Sequence, residues 1–287
     1  MLHFDHTILS LYRLCPQRMK RRMIDHLVPL QEQNLPASFG LALHEGFAQW
    51  YKTGDAILCD KAFVEAFMPF ANIIDTRGLI SLSRGLEILY LYRLHYPIAN
   101  EPFKSLGEEM FEIGFLVEIE GTPYCYFGRM DGAVNAEMIF NGLAVLEHKT
   151  TSSYGYLIPQ PNHQIDGYLY ALQQMLSEPV LGCILNIINY QAKDLAKSKN
   201  TFTRQLTCRT KEHIEDWKKD TVIWMEKVNE DIKRKHFPKN TNSCRAFNRN
   251  CPYIDLCRNT DEDVIQDMIK TYFKESIWSP YPEAREE

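Results

Sequence analysis

An aspartate at 131, a glutamate and a lysine two residues apart at 147 and 149, and a glutamine and a tyrosine four apart at 164 and 168 form the most chemically suggestive set in this chain. Carboxylates that leave coordination positions open suit hard cations such as Mg²⁺ or Mn²⁺. A cation held there stabilises charge on an attacked phosphate and eases deprotonation of water, and a neighbouring lysine can orient that water. Residues i and i+2 of a strand share a face, so Glu147 and Lys149 project together while His148 points away. Gln164 and Tyr168 lie one helical turn apart on the same face. The order and types fit metal-assisted hydrolysis of a phosphodiester.

The elements that must position these groups are readable around them. Asp131 ends the run from Tyr124 to Phe127, and Glu147 ends Leu143-Ala144-Val145-Leu146, with Asn141-Gly142 between the two. Asn-Gly between β-prone runs predicts a hairpin turn, which would bring both carboxylates together on neighbouring strands. Strands are expected over 111–119, 124–134, 143–149, 182–190 and 201–208, and helices over 162–176 and 212–235. The last helix should bury Ile214, Trp217, Thr221, Trp224, Val228 and Ile232. Residues 1 to about 100 read as helical, with Leu41, Leu43, His44, Phe47, Trp50 and Tyr51 on one segment. A second helix runs from Arg77 to Tyr96-Pro97. Glu112 and Glu118 read as exposed strand residues with a weak claim on a cation, and Tyr170 and Tyr154 as weaker candidates than Tyr168.

Asp131, Glu147-x-Lys149 and Gln164-x-x-x-Tyr168 together resemble the PD-(D/E)XK nuclease superfamily in its RecB-like branch, where a glycine and a hydrophobic residue flank the aspartate as Gly128 and Met130 do here. The resemblance implies an α/β fold with a restriction-endonuclease-like core, a central mixed sheet flanked by helices. One nuclease domain would cover 1–287, with a helical N-terminal insertion over 16–100, the catalytic sheet and helix over 101–210, and a C-terminal helix and cysteine segment over 211–287 packing back on Cys15. It makes Asp131, Glu147, Lys149, Gln164 and Tyr168 the catalytic set, with Gln164 orienting the lysine or contacting DNA and Tyr168 bonding a phosphate or stacking on a base. His44, in Gly40-x-x-x-His44, would join Asp131, Glu147 and the backbone carbonyl of His148 as ligands to Mg²⁺ or Mn²⁺.

Eight cysteines are present, and Cys244, Cys251 and Cys257 crowd the last fifth of the chain without a Cys-x-x-Cys pair. By themselves they could be free thiols or part of a zinc site. The RecB-like members with an iron-sulfur cluster, including AddB-type and CRISPR-associated exonucleases, use one N-terminal and three C-terminal cysteines. Cys15-Pro16 and Cys251-Pro252 match that arrangement, so the resemblance implies a 4Fe-4S cluster on Cys15, Cys244, Cys251 and Cys257. Such a link would staple nearly the whole chain. Cys59, Cys125, Cys183 and Cys208 read as small buried hydrophobes.

Lys plus Arg number 32 against 37 Asp plus Glu, a net charge of −5, and apolar residues make up 45%. That balance weighs mildly against a phosphate-rich partner. Arg18, Lys20, Arg21 and Arg22, and Lys193, Lys197, Lys199, Arg204 and Arg209, are the clusters that could offset it. With no signal-peptide core and no apolar run near the ~20 residues of a membrane span, a cytoplasmic protein of prokaryotic or viral setting is expected. The implied activity is exonucleolytic cleavage of single-stranded DNA or DNA ends in recombination, repair, viral DNA processing or CRISPR adaptation, with any helicase supplied by a partner. The alternatives are a non-catalytic iron-sulfur DNA-binding or scaffold subunit of a larger nuclease or helicase complex, and a metal-stabilised interaction module; an intact five-residue motif argues against the first, and metal-dependent activity would exclude the second.

Overall fold

The computed structural model describes residues 2–30, 34–153, 161–246 and 249–278; Tyr154 lies outside them. In chain order, β1 (Leu2–Phe4), α1 (His6–Leu14), α2 (Pro16–Met19) and β2 (Leu27–Pro29) precede three longer helices, α3 (Leu35–Thr53), α4 (Ala56–Phe67) and α5 (Leu82–His95). Next come β3 (Lys104–Ser105), β4 (Phe111–Glu118), β5 (Tyr124–Asn135), α6 (Glu137–Phe140), β6 (Leu143–Thr151), α7 (His163–Leu176), β7 (Val180–Asn189) and β8 (Phe202–Cys208). The long α8 (Lys211–Arg234), β9 (Arg245–Ala246), β10 (Arg249–Asn250), α9 (Ile254–Arg258), α10 (Glu262–Tyr272) and β11 (Phe273–Glu275) complete the described chain.

Contacts divide the chain into two compact units, one of Asn34–Phe115 with Arg129–Glu215, the other of Met1–Gln33, Leu116–Gly128 and Asp216–Glu287. In the first, β5 runs antiparallel to β6, β6 parallel to β7, and β7 antiparallel to β8, a mixed sheet flanked by helices. A parallel pair needs a long crossover, which α7 supplies between β6 and β7. Nine of the ten β7 residues are buried, as in a strand covered on both faces. The core joins Phe39, Leu43 and Phe47 of α3 to Phe63 of α4, Leu89 of α5, and Leu146, Ile184 and Ile188 of the sheet.

Two local devices aim this core at one place. A Cβ at Gly40 would meet the Thr150 hydroxyl at 2.7 Å, so a glycine is what lets α3 pass so close to β6. One turn later the same helix presents His44. The Asn162 side chain accepts hydrogen bonds from the backbone N–H of Gln164 and Ile165, starting α7 so that Gln164 falls in its first turn.

In the second unit β1 pairs parallel with the start of β5, and β2 pairs antiparallel with β11. One small buried cluster of this unit joins Leu27, Tyr253, Leu256 and Ile265, and the Tyr253 hydroxyl donates to the Leu27 carbonyl at 2.7 Å.

Several sequence expectations need correction. The Asn141-Gly142 turn does not close a two-residue hairpin: α6 fills the connection, Asn141 caps it in the left-handed region (φ 57°), and β6 starts after Gly142. The first hundred residues are not wholly helical, because β1 and β2 belong to strand pairs. The helix expected from Arg77 starts at Leu82, where Ser81 caps it; Asp75 instead folds the preceding segment by accepting from the N–H of Arg77, Leu79 and Ile80. On α8 the buried stripe turns through Met225 to Asp231, which accepts from the Tyr12 hydroxyl at 2.7 Å and leaves Ile232 exposed. Cys59, Cys125 and Cys183 are buried as expected, but Cys208, at the end of edge strand β8, is exposed.

Candidate active site

Asp131 and Glu147 are each the next residue outward from the paired Gly132 and Leu146, so antiparallel register brings their carboxylates to the same end of the sheet. Asp131 Oδ1 lies 3.1 Å from His44 Nδ1, and Oδ2 accepts from the His148 backbone N–H at 2.6 Å. One ligand-type atom each of His44, Glu112 and Asp131 falls within 4.8 Å of the others; among the described residues no other trio of His, Cys, Asp or Glu does so.

Glu112 is the member that strand alternation misses. Its backbone stands in the left-handed region at φ 57°, where a non-glycine residue is uncommon, and this turns the first residues of β4 out of regular pleat. Arg129 holds its carboxylate at 3.0 Å. Glu118, by contrast, is exposed.

Glu147 is 2% exposed, and one of its oxygens accepts from the Lys149 ammonium. Lys149 also donates to Gln164 Oε1 at 3.0 Å, and Gln164 Nε2 donates to the Tyr168 hydroxyl at 2.9 Å. Gln164 therefore bridges Lys149 and Tyr168. Tyr168 is buried edge-on against Phe115 at 5.8 Å, so its hydroxyl and not its ring face is turned to the set. Tyr170 is buried. The His148 ring points into the core, stacked on Phe47 at 4.9 Å.

Burial, followed by the Asp131 charge, pushes both Glu112 and Glu147 up to about 7, with Arg129 and Lys149 respectively opposing. Burial alone would raise Asp131 as well, but the His44 charge and hydrogen bonds from His148 and His44 outweigh it and hold that carboxyl well below the usual range. For His44, burial favours the neutral ring, and Asp131 reverses this, raising it; for His148 burial prevails and lowers it. Opposed shifts among clustered groups are characteristic of a functional site.

The model of one nuclease superfamily, PD-(D/E)XK, matches residues 3–258. This chain belongs to the PD-(D/E)XK nuclease superfamily. No curated protein matches the sequence. Among solved structures, a protein provisionally named as an exonuclease, from Eubacterium rectale, is 10% identical with a TM-score of 0.52, covering 88% of this chain and 92% of its own. An alkaline exonuclease from Laribacter hongkongensis is 13% identical with a TM-score of 0.32, over 70% of this chain and 97% of that one. The first of these likenesses supports the fold.

PD-(D/E)XK nucleases use divalent cations, and the donor set here fits one. Besides the trio around Asp131, Glu147 Oε2 is buried with no hydrogen-bond partner among the described residues, an arrangement that is costly unless a cation or proton satisfies it.

In the other unit, Cys15, Cys244, Cys251 and Cys257 line one cavity of about 220 Å³, together with Arg18, Lys239 and Tyr253. Pro16 opens α2 and leaves Cys15 extended at the junction of α1 and α2, where its sulfur accepts from the Asn240 N–H at 3.4 Å. Burial pushes the Cys251 and Cys257 thiols up. A tetrahedral zinc site with Zn–S near 2.3 Å would set sulfurs about 3.8 Å apart. No three of these cysteines have sulfurs mutually within 4.8 Å.

The basic clusters are largely engaged. Lys20 and Arg21 bind Asp25 at 2.7 and 3.1 Å, and Arg22 donates to the Ser276 carbonyl. Arg204 pairs with Glu101, and Arg209 with Asp166, in buried bridges of 2.5 Å each. Lys197 pairs with Asp194 on the surface, where Lys193 and Lys199 are also exposed.

Proposed function

We propose that the chain is a divalent-cation-dependent DNA exonuclease of the RecB-like, iron-sulfur branch, acting on single strands or DNA ends in recombination, repair, viral DNA processing or CRISPR adaptation. The observation that carries the reading is the joining of His44, Glu112, Asp131, Glu147, Lys149, Gln164 and Tyr168 in one unit. His44, Asp131, Glu147 and the His148 carbonyl, with Glu112 added, would hold Mg²⁺ or Mn²⁺. A cation there supplies Lewis-acid stabilisation of the attacked phosphate and its leaving oxygen. Lys149, held between Glu147 and Gln164, orients the attacking water and can shuttle its proton. Tyr168 fixes Gln164 and through it Lys149.

Four cysteines around one cavity, with a backbone N–H on the Cys15 sulfur, support a 4Fe-4S cluster. The cluster has an architectural role, stapling Cys15 to the segment from Cys244 to Cys257 across one nuclease domain spanning 1–287. The exonuclease preference draws on the activity named for the Eubacterium rectale protein of the same fold, and any helicase belongs to a partner.

Cleavage of end-labelled single- and double-stranded DNA by anaerobically purified protein, with Mn²⁺ or Mg²⁺ and the visible spectrum of the same sample, tests this reading. Release of nucleotides from an end by a brown protein is expected. A brown protein without cleavage would favour the non-catalytic DNA-binding or scaffold role, and internal cuts alone would overturn the end preference.

A further inference from the structure

Behind the candidate site lies a buried polar relay to which the mechanism above assigns no task. It starts at Glu101, whose side chain is 3% exposed and whose Oε1 lies 2.7 Å from the Tyr51 hydroxyl. Tyr51 is 2.8 Å from the Tyr92 hydroxyl, and Tyr92 is 3.2 Å from His148 Nε2. Asn186 Nδ2 donates to Tyr92 at 2.9 Å, and Arg204 Nε donates to Asn186 Oδ1 at 2.7 Å. Arg204 closes the circuit on Glu101 through both terminal nitrogens. Tyr92 and Asn186 are fully buried.

Counting protons fixes the direction of the bonds from Arg204 to Tyr92. Arginine only donates, so Asn186 must turn its oxygen to Arg204 and its NH₂ to Tyr92. The Glu101 carboxylate only accepts, so Tyr51 gives its single proton to Glu101. Two hydroxyl oxygens 2.8 Å apart need a proton between them, and only Tyr92 has one left to give. Tyr92 then offers lone pairs to His148 Nε2 at 3.2 Å, Asn186 Nδ2 lies 3.5 Å from the same nitrogen, and Nδ1 on the other side of the ring lies 3.4 Å from Asp131 Oδ2. The ring is thereby held at one edge by Tyr92 and on its face by Phe47, while the backbone N–H of the same residue grips Asp131.

We propose that Tyr92 and Asn186 are positioning residues of the nuclease site, acting through His148: the relay fixes the rotamer of that ring, and so the stretch of β6 that carries Glu147 and Lys149 and anchors Asp131. This role rests on the functional reading above. Partners that orient site groups from behind are typically worth about 10- to 100-fold in metal affinity or activity.

Binding and turnover test it. In calorimetric Mn²⁺ titrations and cleavage assays, Tyr92→Phe should weaken Mn²⁺ binding and lower kcat about 10- to 100-fold with the KM for DNA unchanged. Tyr96→Phe, whose ring stays over Arg204 and whose hydroxyl is no part of the circuit, should match wild type. Melting curves run beside them separate positioning from structure, since a merely structural role would lower Tm and leave Mn²⁺ affinity and kcat in place. Asn186→Leu, if it folds, should repeat the Tyr92→Phe pattern. Wild-type Mn²⁺ affinity and kcat in Tyr92→Phe would overturn the proposal, whereas a wild-type protein that neither binds Mn²⁺ nor cleaves would overturn the functional reading.

Discussion

The acidic site and the cysteine cavity are held in opposite ways. Around Asp131 the site is carried by long strands, a long helix and a large apolar core, and among the described residues Glu147 Oε2 is its buried oxygen without a hydrogen-bond partner. Around Cys251 the framework is a two-residue strand pair, the five-residue α9, the 11-residue α10 and the short β2–β11 pair, around a cluster of Leu27, Tyr253, Leu256 and Ile265. The first region can keep its geometry without its ion, at an electrostatic cost. The second rests on shorter elements, so a group joining its four sulfurs would contribute folding free energy directly.

Predictions follow from that contrast, beginning with the largest effect. Lys149→Ala should lower cleavage by about 10²- to 10⁴-fold, the range for a group that manages a proton in the transition state, with Tm and visible spectrum close to wild type. If Tm collapses with activity, the acidic site is not the self-supporting region described here. Cys251→Ser should do the reverse, losing the brown chromophore and lowering Tm, with limited proteolysis opening the 244–258 stretch first; an unchanged Tm would show that the small region stands without its staple.

Arg209→Ala strands the buried Asp166 carboxylate and should cost about 3–5 kcal/mol in denaturant unfolding. A cost below about 1 kcal/mol would mean that this pair behaves as a surface bridge.

A smaller effect lies in the pH dependence. Glu112 and Glu147 sit at about 7 in the cation-free protein, above the ordinary glutamate value of 4.5. Between those limits the folded state binds protons that the unfolded chain has released, so cation-free stability is greatest at the acid end and falls as pH rises toward 7. Cation binding requires the same protons to leave, so Mn²⁺ affinity should rise over that interval and protons should be released on binding. Glu147→Gln should flatten both slopes, which thermal melts at a series of pH values and calorimetry in buffers of different ionisation enthalpy would show.

Much of the acidic site was legible because its spacing follows the geometry of single elements. Alternation along β6 sends Glu147 and Lys149 to one side, and one turn of α7 joins Gln164 to Tyr168. Glu112 was not, because a left-handed backbone at the start of β4 has no local sequence signal when the residue is a glutamate. The relay behind His148 was equally hidden: Tyr51, Glu101 and the strand pair of Asn186 and Arg204 come from separate parts of the chain, and in sequence Arg204 reads as an exposed base although it is half-buried. On α8 the same limit shows in miniature, since helical period alone cannot tell that Asp231 is drawn inward by the Tyr12 hydroxyl.

The central claim is that the cation site and Lys149 form one hydrolytic centre. The most direct test is the initial rate of end-labelled DNA cleavage as a function of Mn²⁺ for wild type and Lys149→Ala, with Mn²⁺ binding followed on the same preparations. Saturable Mn²⁺-dependent cleavage in wild type, with Mn²⁺ still bound but cleavage lost in Lys149→Ala, is the expected result; cleavage that needs no divalent ion, or survives in Lys149→Ala, would contradict it.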